Sequence, residues 1–434
     1  MRNNKIIAAQ VGYGMFGADV VAGTMWDLQR NGLSPYLDRL GLDDWCSAYD
    51  GIGFEMAAIG TRSEASAERA VAENHEHTGL RPRAYHGEAP WDDILRDHPD
   101  LDVLIVATPD NLHTAPILAA LNAGVHVIAE KPLCLDLREC DRIIALAQKQ
   151  GLIVGADMHK RYDPDHLKIF HELRPQLGPP IHARGVLEEP LEVSTKTFKW
   201  VEESDPFTYV GIHWVDLFCH YLQCTPASLF AIGQKVRLRQ EFGKDAFDAT
   251  QVLVTFRPGC EHPAGFSIFF DNNWLTPADF EGPVNQESAF LGSYGKVESD
   301  SQYRGLRYWI ENKGSRTSNT HFFRNVRRPD GSLACTGYGK DSLVDCLEKV
   351  YRIKTQGATA AELAGAYPDA PSQRIPTAIV HAARAVMQRN EEHFEAGHGQ
   401  PCTATFDGRT PGSAGAITLR DPLRGDEVLV PTSL

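Results

Sequence analysis

Residues Lys5 to Val11 form a β-rich run, K-I-I-A-A-Q-V, that leads straight into Gly12-Tyr13-Gly14-Met15-Phe16-Gly17. A helix-forming stretch from Ala18 to Arg30 follows. Few arrangements satisfy that order. The glycines let the chain turn out of a strand, and they let backbone N–H groups at a helix N-terminus approach a pyrophosphate. G-x-G-x-x-G by itself also occurs as a chance glycine turn. Between a strand and a helix it points to a dinucleotide-binding unit of a parallel sheet. Gly12, Gly14, Met15, Phe16 and Gly17 are therefore candidate cofactor contacts.

The second strand is late. Residues Asn31 to Ile52 read as an inserted helical excursion, and Phe54 to Gly60 as the strand that follows it. That strand ends in Thr61-Arg62-Ser63, where an NAD-selective site usually carries Asp or Glu for the ribose hydroxyls. Arg62 can meet a 2′-phosphate or stack on adenine, Thr61 or Ser63 can bond a ribose hydroxyl, and Ser63 is equally suited to cap a helix. The choice between NAD and NADP stays open here.

Leu101 to Ala107 is a continuous β-branched run, as buried parallel strands are. It ends in Thr108-Pro109-Asp110-Asn111-Leu112-His113, of which Thr108, Pro109, Asn111 and His113 are candidate cofactor residues. Ala123 to Asp136 contains a short buried strand that Pro132 ends. Glu130 and Lys131 then lie at a strand end, where open parallel sheets hold ligands. A partly buried lysine there can accept a proton near neutral pH; a plain Glu130–Lys131 salt bridge is the alternative. Asp136 to Gln150 reads as a helix and Leu152 to Gly155 as a further strand. Its exit, Met158 to Pro164, offers His159 and Arg161 as substrate contacts.

A chain of 434 residues exceeds one ordinary core, so two domains are expected. The net charge of −14 argues against nucleic acid as a partner. The first residues lack the apolar segment of a secretory signal, and no apolar run approaches membrane-span length. Nine scattered cysteines without C-x-x-C or zinc spacing fit free thiols in a reducing compartment. A cytoplasmic protein without membrane partners is expected.

G-Y-G-M-F-G at Gly12, A-T-P-D-N-L-H at Ala107, A-G-V-H-V-I-A-E-K-P at Ala123 and R-Y-D-P at Arg161 agree in order and spacing with the glucose–fructose oxidoreductase / inositol dehydrogenase / rhizopine-catabolism (Gfo/Idh/MocA) family. The chain resembles that family over about residues 5 to 395, more weakly through G-I-H-W-V-D at Gly211 and G-S-Y-G-K at Gly292. The resemblance implies an α/β fold. Residues 1–155 would form a Rossmann domain with a parallel sheet, and 156–434 an α/β domain with a large open, mostly antiparallel sheet. It further implies NAD(P)-dependent hydride transfer on a sugar or cyclitol hydroxyl, Lys131 beside the reacting carbon, and a homodimer or homotetramer.

In the second domain Ser204-Asp205-Pro206 reads as a helix start. Tyr209, His213, Asp216 and His220 then follow at i, i+4, i+7 and i+11 and share one face of an α-helix. His213 is a candidate acid/base residue, with a core histidine partnered by Asp216 as the alternative. Spacing permits metal binding by His213, Asp216 and His220, but nothing completes the set, and no metal is expected. The family pattern D-x-G-x-H is here Y-V-G-I-H, so Tyr209 replaces the aspartate. A phenol can donate to a sugar hydroxyl, or it can be a plain aromatic core residue. Lys196, Lys199 and Trp200 suit an anionic sugar as well as a solvated loop, and Trp274 is a candidate pocket wall. Lys340 to Gln356 and Pro376 to Asn390 read as helices, and the tail from Pro401 as a loose or wrapping segment.

Three functions are compatible with these residues. One is a sugar or cyclitol dehydrogenase oxidising a ring hydroxyl, at C3 in a sugar. A second is a redox-neutral NAD+-dependent glycosidase that oxidises C3 transiently, resembling the sulfoquinovosidase branch of the superfamily and acting on an anionic, sulfonated glycoside. The third, a cofactor-binding regulator, has no need of Lys131 and His213.

Overall fold

The structure, a computed structural model, describes residues 5–37, 51–259, 262–277, 279–282, 284–301, 306–310, 314–319, 321–322, 324–327, 329, 333–410 and 413–431. The chain divides into two compact units. The first comprises Met1–Cys134, Asp141–Asp163 and His321–Pro371; the second Leu135–Cys140, Pro164–Thr320 and Ser372–Leu434.

The first unit is built on six strands: β1 (Lys5–Val11), β2 (Gly53–Thr61), β3 (Arg83–His86), β4 (Val103–Val106), β5 (His126–Ala129) and β6 (Val154–Ala156). All run parallel, in the order β3-β2-β1-β4-β5-β6. That is the Rossmann order, whose strand reversal between β1 and β4 opens a crevice at the C-terminal strand ends. Ile6, Ala8, Val103, Ile105 and Ile128 fill the sheet's core beside Met25 and Leu28 of the helix Gly23–Asn31. The insertion after Asn31 begins with a short helix, Ser34–Leu37, that buries Leu33 and Tyr36 in this core; positions 38–50 of the expected excursion lie outside the described residues.

The boundary expected at residue 155 is corrected by a late segment. The helix Tyr338–Tyr351 adds Leu343, Val344, Leu347 and Val350 to the same core. Beyond it, Gly155 bridges Asp369 and Ala156 N–H donates to Pro368 O (2.8 Å), which covers β6, otherwise an open sheet edge. The contacts that recruit this segment join residues far apart in sequence, and no local pattern encodes them.

The second unit carries β7 (Pro180–Pro190), β8 (Pro226–Gln234), β9 (Ala249–Phe256), β10 (Phe266–Thr276), β11 (Asn285–Gly292) and β12 (Gly295–Asp300). A hairpin, β13 (Leu306–Ile310) and β14 (Gly314–Ser318), follows; β15 (Arg324–Arg327) and β16 (Leu333–Thr336) pair within the first unit. The tail is not loose: β17 (Thr403–Phe406), β18 (Ile417–Arg420) and β19 (Glu427–Val430) extend the main sheet to nine strands, in the order β12-β11-β7-β10-β9-β8-β17-β18-β19. Among the described residues of this sheet, β7 and β10 pair parallel and the other neighbours antiparallel. Ala404 and Phe406 of β17 are buried, so the alternation of T-A-T-F is a strand signal that the surrounding glycines and prolines mask.

Candidate active site

In the first unit, the loops after β1, β2, β4, β5 and β6 carry the candidate residues. Gly12 has φ +91°, and a Cβ there would lie 2.1 Å from Ala107 O; at Gly17 it would lie 2.9 Å from Gly12 O. At Gly14 it would meet nothing within 4 Å. Two glycines thus close the turn, and the middle one leaves bare backbone open to a ligand, as a pyrophosphate cradle requires. Gln10, unnoticed in the sequence, donates through Nε2 to Gly12 O and Gly17 O, both at 2.8 Å. Met15 is exposed.

After β2 the Thr61 hydroxyl donates to Ser63 O (2.7 Å) and so shapes the turn. Ser63 occupies the cap position of the helix Glu64–Thr78 without a side-chain cap bond, and Arg62 is exposed. After β4, Thr108 and Pro109 are half-buried and Asn111 is exposed. His113 departs from the expectation of a cofactor contact. It is buried, with Nδ1 2.7 Å from Pro132 O and Nε2 2.9 Å from Thr108 O. Both ring nitrogens face backbone carbonyls, so the imidazole ties the loop after β4 to the loop after β5.

Lys131 stands at that second loop, 3% exposed and joined to Pro132 by a cis peptide. Its Nζ lies 5.6 Å from the centroid of the Phe16 ring, which belongs to the glycine turn. Beside it, β5 and β6 end with the register pair Ala129↔Ala156, and Asp157 N–H donates to Ala129 O (2.8 Å). Glu130 and Asp157 are therefore neighbours, both buried. Burial pushes the Glu130 carboxyl well above its usual range, with Asp157 adding to the rise and Lys131 opposing it. Burial also pushes Asp157 up to about 6, against the pull of Ser342, Glu130 and Lys131. Glu130 thus interacts with Asp157 as well as with Lys131, a carboxyl pair beside a lysine. Asp157 and Ser342 were missed: an aspartate after a strand is unremarkable, and Ser342 arrives on the late helix.

The turn His159–Tyr162 follows β6. The buried His159 ring stacks on Phe16 (centroids 6.2 Å apart, 14° between planes) and meets Phe322 and Tyr338 at 4.9 and 6.1 Å. Arg161 is buried, and the Tyr162 hydroxyl donates to Asp345. His159 thus joins the group around Phe16 and Lys131.

In the second unit the helix start is capped by Asp205: Asp205 Oδ1 accepts from Thr208 N–H (2.8 Å) and Oδ2 from the Thr208 hydroxyl (2.6 Å). A π-helical turn, Phe207–Gly211, precedes the α-helix Ile212–Leu222. Tyr209 lies in that π-turn and His213 in the α-helix after it. The Tyr209 ring is buried edge-on against Phe198 (4.5 Å) and Trp200 (5.9 Å), as an aromatic core residue would be. His213 and Asp216 are buried, and Asp216 Oδ1 accepts from Gln373 Nε2 (2.9 Å). Lys196 and Lys199 are exposed, and Lys196 pairs with Glu192 one turn away (2.5 Å). Trp274, expected as a pocket wall, has 0% exposure, and its indole N–H donates to Glu189 (3.2 Å). Strand alternation turns it into the core.

The fold and loops of the first unit define an NAD-binding Rossmann domain. Residues 8–158 match the Gfo/Idh/MocA family model, described as "Oxidoreductase family, NAD-binding Rossmann fold". 1,5-Anhydro-D-fructose reductase of Ensifer adhaerens is 34% identical over 87 residues, 20% of this chain and 26% of that protein. Myo-inositol 2-dehydrogenase of Thermotoga maritima is 24% identical over 241 residues, 55% of this chain and 68% of that one. The matches span only 26%, 17% and 18% of the lengths of three of the curated relatives. The solved structure of GenD2 from gentamicin A biosynthesis, in complex with NAD, is similar in fold, with a TM-score of 0.61 at 18% identity over 89% of this chain and 95% of that one.

Proposed function

We propose that the protein oxidises a ring hydroxyl of a sugar or cyclitol, at C3 in a sugar. The observation that carries this reading is the placement of Lys131, a buried amine at the C-terminal end of β5 with Nζ over the Phe16 ring of the dinucleotide turn. Bound along Gly12–Gly17, NAD would supply the hydride acceptor. Lys131 Nζ, as the neutral amine, takes the hydroxyl proton, with the Glu130–Asp157 carboxyl pair beside it; His213 is the candidate for a second acid/base group and Tyr209 for a hydroxyl donor. The names of the reductase and the inositol dehydrogenase support a carbohydrate or cyclitol substrate. The alternative, a redox-neutral glycosidase of sulfoquinovosidase type, draws on Lys196 and Lys199 as an anion site. Exposure of both lysines and the Lys196–Glu192 pair favour a neutral substrate instead.

A panel of sugars, cyclitols and aryl glycosides, offered with NAD+ or NADP+, tests the reading by NAD(P)H absorbance and aglycone release together. Net NADH from a neutral sugar or cyclitol is expected; aglycone release without net NADH moves the reading to the glycosidase. Lys131→Ala is expected to lose ~10²–10⁴-fold in turnover while still quenching or enhancing NADH fluorescence on binding. Near-normal turnover removes Lys131 from its role. Self-association to a dimer or tetramer is part of the same proposal and is read by light scattering.

A further inference from the structure

A second group of donor atoms lies in the second unit. His393 is in the last turn of the helix Arg374–Glu395, Cys402 immediately precedes β17, and Asp421 immediately follows β18. One donor atom from each lies within 4.8 Å of the other two, and all three residues are buried. Cys402 Sγ is 3.7 Å from His393 Nδ1, and His393 Nε2 is 3.4 Å from Asp421 Oδ1.

The hydrogen bonding around His393 is incomplete. Nδ1 faces Gln400 O at 3.3 Å and Cys402 Sγ at 3.7 Å, and its role toward each depends on the ring tautomer. Nε2 is buried and makes no hydrogen bond. It lies 3.4 Å from Asp421 Oδ1, a separation that suits two ligands of one tetrahedral ion. The carboxylate itself is fixed from behind. Oδ2 accepts from Arg389 Nη1 (2.5 Å), and Oδ1 from the N–H groups of Leu423 and Arg424 (2.9 Å each). Such outer partners orient a metal-ligating carboxylate.

A fourth donor stands at the rim. His398 is exposed, and its ring centroid is 6.4 Å from that of His393. The short loop between them is set by His398 N–H donating to His393 O (2.8 Å). In sequence the three residues read H-x4-H-x3-C, with the aspartate supplied from beyond a strand.

We propose that His393, Cys402 and Asp421, closed by His398, form a binding site for one zinc-type divalent transition-metal ion. A thiolate, two imidazoles and a carboxylate make a four-donor set suited to tetrahedral Zn2+. The thiolate and carboxylate together neutralise the ion, which is the condition for burying it. The site joins a helix end to strands β17 and β18, so the ion acts as a clip for the tail of the sheet.

The 434-residue chain, stripped with chelator and dialysed, is titrated with Co2+ and, separately, Zn2+. One Co2+ per chain is expected, with a thiolate-to-cobalt charge-transfer band in the near ultraviolet and the intense visible bands of tetrahedral cobalt. Zn2+ should displace it and raise the melting temperature. Cys402→Ser should remove the charge-transfer band. His398→Ala, at an exposed position that leaves the packing intact, should weaken Co2+ binding about tenfold or more; it carries the test if Cys402→Ser does not fold. Sub-stoichiometric uptake without the band, as a protonated His393 bridging to Asp421 would give, overturns the proposal. So does an unchanged Co2+ affinity in His398→Ala.

Discussion

Gly12 and Gly14 are two residues apart and have opposite surroundings. Gly12→Ala places a Cβ 2.1 Å from Ala107 O at φ +91°, whereas Gly14→Ala meets nothing. The first substitution is expected to lower stability by about 3 kcal/mol or more, as overpacking and backbone strain add. The second should leave the melting temperature unchanged and weaken NADH binding; thermal melts with fluorescence titration separate the two, and parallel losses in both variants would contradict the cradle. Asp157 offers a pH test. Its carboxyl, ordinarily near 3.8, is pushed up to about 6 by burial. The folded state therefore holds the proton more tightly than the unfolded one, and stability is lost as pH rises from about 4 to 6. Asp157→Asn removes that loss: it should stabilise by about 1–3 kcal/mol at pH 7.5 and change little at pH 4. Equal effects at both pH values would show that burial of the charge is not the cause.

At the scale of elements, the helix Ile212–Leu222 separates a chemical role from a structural one. Asp216 accepts from Gln373, itself buried, so Asp216→Ala strands an amide donor and should cost about 1–3 kcal/mol in stability. His213→Asn is expected to lower kcat by more than tenfold, within the range of a lost acid/base group, with a smaller fall in melting temperature. If the two variants lose stability alike and retain turnover alike, His213 is a core residue. The spacing of Tyr209, His213, Asp216 and His220 was legible because an α-period was assumed; the π-turn Phe207–Gly211 follows no such period, and only the backbone reveals it.

For the molecule as a whole, the pH response of the first unit has a further source in His126 at the start of β5. Its Nδ1 accepts from Ile153 N–H (3.1 Å), and burial lowers its pKa from 6.5 to about 4. The neutral ring is the folded form, so this contribution is present above pH 6.5 and is lost as pH falls toward 4, up to about 1–3 kcal/mol. His126→Asn keeps an acceptor for Ile153 N–H and should flatten the fall in melting temperature between pH 6.5 and 4.5; an undiminished fall assigns the acid sensitivity elsewhere. Among the described residues no helix is long and apolar enough to cross a membrane. The sequence by itself determined the Rossmann unit, its glycine turn, Lys131 at a strand end, and the helices around residues 340–356 and 376–390, because periodicity, glycine and proline act over a few neighbouring residues. Tertiary structure alone decided the rest. It returned residues 321–371 to the first core, turned Trp274 inward, set Glu130 beside Asp157, and gathered His393, Cys402 and Asp421. Each of these depends on strand register or on burial between segments distant in the chain, and neither leaves a trace in local composition.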